Sequence, residues 1–325
     1  MTMRLGKLDN DRLEELVLNK FRSTRPEALS APEIGRDCAV LNLGGDLAVL
    51  SCDPITSASV SQLGRLSVHV NCNDAAAAGA EPVGLLVTLL APPDAEEAQI
   101  GAIADDLAQA ARDANVDILG GHTEVTDSVT RFVTCTSVVA RMPKENALTG
   151  IRPGNDIVMT KWAGLEGTML IADSFPERLS QLDAETLKIV EAFSSLLSVV
   201  PESRIAMQHG VTAMHDVTEG GILGAVWEMA YESGCGAVID PASIPILPET
   251  LSVTKAAGVD PLRLISSGSM LISCHDGQRM VDALQKAEIH AACIGCATVE
   301  GILLADGTPI DPPGADEIYR LYRRN

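Results

Sequence analysis

A chain of 325 residues is long enough for two domains of ordinary size, each with its own core. With 46% hydrophobic and 21% charged residues it reads as folded and globular, which excludes the disordered and fibrous classes. The 44 acidic against 24 basic residues leave a net charge of −20, and so negative a surface repels phosphate backbones and anionic lipid heads. Nucleic acid and membrane are therefore poor partners, and a nucleotide ligand would need cations and backbone N–H groups to approach.

The first residues, Met1 to Asp11, are polar and carry no apolar signal core. No apolar run approaches the roughly 20 residues of a membrane helix. The eight cysteines are scattered, as at Cys38, Cys52 and Cys135, so a reduced, cytoplasmic protein is expected. Leu8 to Phe21 reads as an opening amphipathic helix, with a stripe of Leu13, Leu16, Val17 and Phe21. Strands are expected at Cys38–Leu43 and Leu47–Cys52, joined by Gly44-Gly45-Asp46. A helical composition runs from Ser61 to Ala80, then a buried strand over Val83–Leu90. Asp94–Ala114 is an Ala-rich helix with Asp94 as its cap, and strands at Val116–Leu119 and Thr130–Ala140 complete the first unit.

The pattern lapses around Arg141–Asp156, where two prolines and a turn mark a linker. The expected domains are therefore residues 1–150 and 151–325. The second opens with a strand at Ile157–Thr160. Helices are expected at Leu165–Asp173, Ala184–Leu197, Glu202–His209 and Gly221–Glu232. Further strands are expected at Gly236–Ile239, Met270–Cys274, Ala291–Thr298 and Ile302–Leu304. Two α+β domains of mixed α/β class is the reading.

Three carboxylates in the first half stand at the ends of elements among small residues. Asp37 lies in Gly35-Arg36-Asp37-Cys38-Ala39-Val40, Asp53 in Ser51-Cys52-Asp53-Pro54, and Asp74 follows Asn71-Cys72-Asn73. Carboxylates at strand ends can converge on a hard cation, although each alone is as well explained as a turn former or cap. Leu119-Gly120-Gly121-His122-Thr123-Glu124 follows a short strand, and paired glycines there read as a turn or anion nest. His122 suits proton transfer near neutrality. In the second half, Met214-His215-Asp216-Val217-Thr218-Glu219-Gly220-Gly221 leads into a helix whose free N–H groups favour phosphate. The alternative is an ordinary helix start capped by Thr218 or Asp216.

Taken in order, Gly35–Val40, Asp53-Pro54, Asn73–Pro82, Gly120–Glu124, Pro153–Asp156 and His215–Gly221 resemble the aminoimidazole ribonucleotide (AIR) synthetase superfamily, and within it the HypE-like hydrogenase maturation factors. The resemblance covers nearly the whole chain. It implies two α/β domains, a dimer formed through the first sheet, and a cytoplasmic enzyme using Mg²⁺ and ATP. It assigns Asp37, Asp53 and Asp74 to Mg²⁺, and Asn73, Gly120, Gly121, Thr123, Gly220 and Gly221 to the nucleotide. His122 and Asp216 are the candidate catalytic residues. The shared chemistry is attack by an oxygen of a small-molecule substrate on the γ-phosphate. A small-molecule kinase (of α-ribazole or a thiamine phosphate) is the alternative, a non-catalytic ATP-binding maturation partner the second, and a partner protein is expected in the maturation reading. The chain departs from the pattern in three places. Arg36 stands before Asp37 where several relatives have a second aspartate, and His122 stands where the kinase branch and HypE have aspartate, with Glu124 a substitute. The chain also lacks the tail cysteine of HypE, its last cysteine being Cys296, which points to a diffusible substrate.

Weaker signals remain. Cys293 and Cys296 have the spacing of half a metal site, but residues three apart on a strand face opposite sides. Arg65, His69 and Asn73 share one helical face, His215 is a phosphate contact or a structural histidine, and Ser266-Ser267-Gly268-Ser269 is a loop or a pocket lining.

Overall fold

The computed structural model describes residues 38–322, together with Asn10, Asp11, Glu14, Leu29, Ile34 and Arg36. The helix expected over Leu8–Phe21 therefore falls, but for three residues, outside the described residues, and so does Asp37. The described chain divides into two compact units, residues 38–147 with Leu29 and residues 148–322 with Arg36.

The N-terminal unit is a five-stranded sheet in the order β1-β2-β5-β3-β4, formed by β1 (Ala39–Asn42), β2 (Leu47–Ile55), β3 (Glu81–Ala91), β4 (Asp117–Val125) and β5 (Val133–Met142). Only β3 and β4 run parallel, and α2 (Glu97–Ala114) joins them. One face of the sheet carries α1 (Leu63–Ala77), which is buried along nearly its whole length. Such a helix cannot be merely amphipathic. Its apolar residues Leu63, Leu66 and Val70 pack inward, while its polar residues Ser67, Asn71, Asn73 and Asp74 are buried too. Gly64 sits where α1 and α2 cross, and a Cβ there would lie 2.5 Å from the Leu107 nitrogen. The start of α2 differs from expectation. Its cap is Glu96, in a reciprocal box with Gln99, and Asp94 lies outside the helix.

The C-terminal unit is a six-stranded sheet in the order β11-β8-β10-β6-β9-β7. Its strands are β6 (Asp156–Thr160), β7 (Val211–Asp216), β8 (Gly236–Ile239), β9 (Met270–Cys274), β10 (Ala291–Thr298) and β11 (Ile302–Leu304). The helices are α3 (Leu165–Ser174), α4 (Ala184–Ala192), α5 (Val200–Gln208), α6 (Gly221–Glu232), α7 (Pro248–Ala257), α8 (Gly277–Lys286) and the short α9 (Tyr319–Tyr322). Ile157, Met159, Leu271, Ile294 and Ala297 pack with Ile222, Val226 and Met229 of α6 into one apolar core. Each fully buried aliphatic side chain of that kind contributes about 1.5–3 kcal/mol. In β10 the register slips between Cys293 and Gly295, and both Cys293 and Cys296 come out exposed. The bulge inserts one residue, so thiols three apart return to the same face, contrary to the simple alternation expected from sequence. No helix among the described residues is long and apolar enough to cross a membrane.

Candidate functional site

In the N-terminal unit, β2 and α1 bring two of the three expected metal carboxylates together. Ser51 and Asp53 stand two apart on one face of β2, and that face meets α1. The Ser51 hydroxyl donates to the Asp74 carboxylate, and the Asp53 N–H donates to Asn71 Oδ1 at 3.0 Å. Asn71 in turn donates to the Ser67 carbonyl at 3.0 Å, and Ser67 bonds Thr134 of β5 at 2.6 Å. Two polar links, Ser51 to Asp74 and the Asp53 N–H through Asn71 and Ser67 to Thr134, therefore tie β2 and β5 to α1. Asp74 and Asn73 are both buried, at 3% and 0% exposure. Burial, then the charges of Asp74 and Glu81, push the Cys72 thiol up to about 12. The carboxylates of Asp53 and Asp74 are oxygen donors, the chemistry that suits a hard divalent cation. Among the described residues no group of three or more His, Cys, Asp or Glu side chains is placed to hold a metal, and Asp37 lies outside them. Ser51 and Asn71 escaped the sequence reading because a serine and an asparagine carry no pattern until strand and helix are packed. Arg65 does not extend this network, since it is engaged by Asp106 through its backbone and guanidinium at 2.7–3.0 Å.

The Gly120–Glu124 segment is not the turn expected from its paired glycines. It lies inside β4 and pairs with β3, Val87 opposite Gly121 and Thr88 opposite His122. Gly121 has φ +149°, and a Cβ on it would lie 1.8 Å from the Val87 carbonyl oxygen. The glycine is thus required by close strand approach. Following the register across the sheet, Asp53, Thr136, Val87 and Gly121 lie in one row, and Thr134, Leu89 and Thr123 in the next. Gly121 and Thr123 therefore share the α1 side with Asp53, whereas Gly120, His122 and Glu124 lie on the side away from α1. His122 is exposed and faces Glu124 at 3.3 Å. The fold does not place it with the Asp53–Asp74 pair of the same unit.

In the C-terminal unit, Asp216 ends β7 and is buried, as is His215, whose Nδ1 meets the Asp216 carbonyl oxygen at 2.7 Å and whose Nε2 lies 3.7 Å from Glu228. His215 is thus tied into the fold. The chain then turns through Thr218 to Gly221 into α6, with no side-chain cap. Gly221 donates to the Thr218 carbonyl at 3.1 Å, and Gly220 donates to Asp316 Oδ2 at 2.8 Å. Two of the N–H groups expected to await a phosphate are accordingly taken within the protein. Behind the turn lie two buried carboxyls that sequence reasoning missed. Burial pushes Glu166 up to about 7, with Ser267 opposing and the charge of Asp316 adding to the rise. Burial likewise pushes Asp316 up to about 7, opposed by the N–H groups of Ile318, Gly220 and Ile265. The serine loop is structural as well: Ser266 accepts from the Gly164 N–H and Ser269 donates to the Trp162 carbonyl.

Comparison with known proteins fits this architecture. Residues 35–141 match the AIR synthase related protein N-terminal domain, and residues 152–303 the AIR synthase related protein C-terminal domain. The chain is 30% identical, over 65% of its length, to the carbamoyl dehydratase HypE of Cupriavidus necator, and spans 60% of that protein. It is 26% identical to a putative hydrogenase expression/formation protein of Methanocaldococcus jannaschii over 97% of each chain. In structure it resembles a chain of the HypE–HypF complex, with a TM-score of 0.77 at 22% identity, covering 93% of this chain and 99% of that one. It resembles AaThiL complexed with AMPPCP and TMP equally, with a TM-score of 0.77 at 18% identity and coverage of 97% and 99%. At those identities the two structures speak for the fold. Both halves of the chain match in order, and the protein belongs to the AIR synthase-related family.

Proposed function

We propose that this chain is an ATP-dependent enzyme of the HypE-like branch, transferring the γ-phosphate of Mg·ATP to an oxygen of a small substrate. The observation that carries the reading is the placement of Asp53 on β2 and Asp74 on α1, two elements joined by the Ser51–Asp74 bond and by the Asp53 N–H to Asn71 bond. Relatives named carbamoyl dehydratase, a HypE structure in complex with ATP and an AaThiL structure with AMPPCP support it. In the reaction, the acceptor oxygen forms a bond to the γ-phosphorus as the bond to the β-phosphate oxygen breaks, and ADP leaves. Asp53 and Asp74, with Asp37 by sequence, would hold Mg²⁺, which when bound neutralises charge on the phosphates. Asn73, Gly120, Gly121 and Thr123 are the proposed nucleotide neighbours in the N-terminal unit, and Gly220 and Gly221 those in the C-terminal unit. Asp216 and His122 are the proposed proton-handling residues. His122 stands on the face away from α1, and a second copy is proposed to meet it there.

The edge strand β4 supports a homodimer. Leu86, Ile118, Leu119 and Val125 are exposed on or beside the edge strand β4, more apolar surface than a free sheet edge normally leaves to water. A maturation partner protein is a further proposal, prompted by the HypE–HypF complex.

The test is ADP release with Mg·ATP and a small-molecule extract, comparing the wild type with Asp53→Asn at matched oligomeric state. The proposal requires extract-dependent turnover that the variant loses by at least about tenfold. Equal rates in the two proteins would defeat it.

A further inference from the structure

The Glu219-Gly220-Gly221 turn has two consecutive residues in the left-handed region, at φ +90° and +62°. Two glycines in sequence give a backbone much freedom, which the Gly221 N–H to Thr218 carbonyl bond limits within the turn. Further limits come from the last residues of the described chain. We infer that the segment Asp311–Tyr322 is a strap that sets this turn, with Asp316 as its positioning residue. The inference rests on the reading above, in which the turn neighbours the nucleotide.

The contacts converge on three successive residues. Asp316 Oδ2 accepts from the Gly220 N–H at 2.8 Å and its Oδ1 from the Ile318 N–H at 2.9 Å. One carboxyl group thereby joins turn and strap through both oxygens, and it is 1% exposed. Tyr319 donates its hydroxyl to Glu219 Oε1 at 2.8 Å, the residue immediately before the glycines. Pro313 lies over the turn, so that a Cβ on Gly220 would stand 3.0 Å from its ring. On the far side, a Cβ on Gly221 would meet the Leu262 carbonyl oxygen at 2.6 Å.

The strap is itself anchored. Arg263 donates to the Asp311 carbonyl at 3.0 Å, and Glu317 accepts from the Asp260 N–H at 3.1 Å. Ile318 and Leu321 are buried, and Phe175 meets Tyr322 edge to face at 4.9 Å.

Covering the start of α6 would need only apolar side chains. A buried carboxyl group costs desolvation, and it is bonded here to a backbone group that a free helix start would present to an anion. That choice fixes which way the Gly220 peptide faces, and with it the Glu219 and Gly221 groups on either side. Positional errors of about 1 Å near a reacting group can cost on the order of a hundredfold in rate.

The experiment uses the full chain as wild type, Asp316→Asn and Tyr319→Phe. Hydrogen exchange by mass spectrometry follows the peptide spanning residues 217–226, and Mg·ATP turnover with the small-molecule extract gives kcat and KM. The asparagine amide can accept from only one of the two N–H groups. Exchange in residues 217–226 should then quicken by about tenfold while the rest of the C-terminal unit keeps its protection. The kcat should fall about tenfold with the KM for Mg·ATP within about twofold, a split that loss of packing alone would not give. Tyr319→Phe should move both readings the same way by a smaller factor, and it carries the test should Asp316→Asn not fold. Unchanged exchange in these residues, or quickened exchange with unchanged kcat, overturns the strap. A wild type that turns over no ATP instead overturns the functional reading, and the catalytic part of this inference with it.

Discussion

Lys161 provides the sharpest test of the packing. It follows β6 in a left-handed conformation, φ +53°, and turns its side chain inward. Nζ lies 2.7 Å from Glu202 Oε1 and donates to the carbonyl oxygens of Leu196 and Ser198 at 2.8 and 2.5 Å. The two side chains are 10% and 2% exposed, so solvent screens the pair little. Burial pulls the lysine down and pushes the glutamate up, each opposed by the other's charge. In Lys161→Met the glutamate keeps the upward push and loses the opposing charge, and two carbonyls lose their donor. Removing one partner of a buried pair costs about 3–5 kcal/mol, a large share of a typical 5–15 kcal/mol. With a urea slope of about 1–3 kcal/mol/M, the midpoint should fall by at least about 1 M. Trp162 and Trp227 are the only tryptophans and both lie in the C-terminal unit, so their fluorescence reports that unit alone. The sign with pH follows from the raised glutamate. Its contribution is fully present below its unfolded pKa and is lost as pH rises through the folded one, so the variant's deficit should be smaller near pH 5 than near pH 8. Adding Glu202→Leu should recover part of the loss. A deficit under about 1 kcal/mol, or a double variant no better than the single one, would refute the reasoning.

Other outcomes follow from single contacts. Gly121→Ala drives a methyl into the Val87 carbonyl, so β4 must part from β3. Sedimentation should then show loss of the proposed dimer, and calorimetry a lowered melting temperature. Glu166 is raised to about 7 by burial, so its contribution is present below its unfolded value near 4.5 and lost as pH rises through about 7. Glu166→Gln should therefore flatten the decline of urea stability between about pH 5 and 8. Ser51→Ala removes the hydroxyl that Asp74 accepts and should weaken Mg·ATP binding by about tenfold or more, measured by calorimetry, with little change in the fold.

Much of this was legible in the sequence, and the failures have physical causes. Strands β1, β2, β3 and β5 and helices α1, α3 and α6 stand close to where composition and periodicity put them. Asp53 lies within β2 and Asp74 within α1, not at the element ends expected from the sequence, because both elements run on past them. The glycines of β4 misled, since a Gly-Gly pair looks alike whether it turns or lets two strands come close. Helix α7 begins at Pro248 among other prolines that read as loop, and β7 and α8 were likewise passed over. His122 was grouped with the aspartates by motif order, and only the strand register shows that it projects from the opposite face. Asp316 could not have been found, because its partner Gly220 is 96 residues away and no local pattern announces the bond.

The central claim is that this chain spends ATP on an acceptor oxygen, and phosphorus NMR of the purified protein tests it most directly. The spectrum is followed with Mg·ATP, with and without a small-molecule cytosolic extract. We expect ADP to appear with extract, accompanied by a new phosphomonoester signal if the phosphate is kept, or by inorganic phosphate if it is displaced. ATP that binds but is never turned over in either sample would contradict the account and leave a non-catalytic ATP-binding partner in its place.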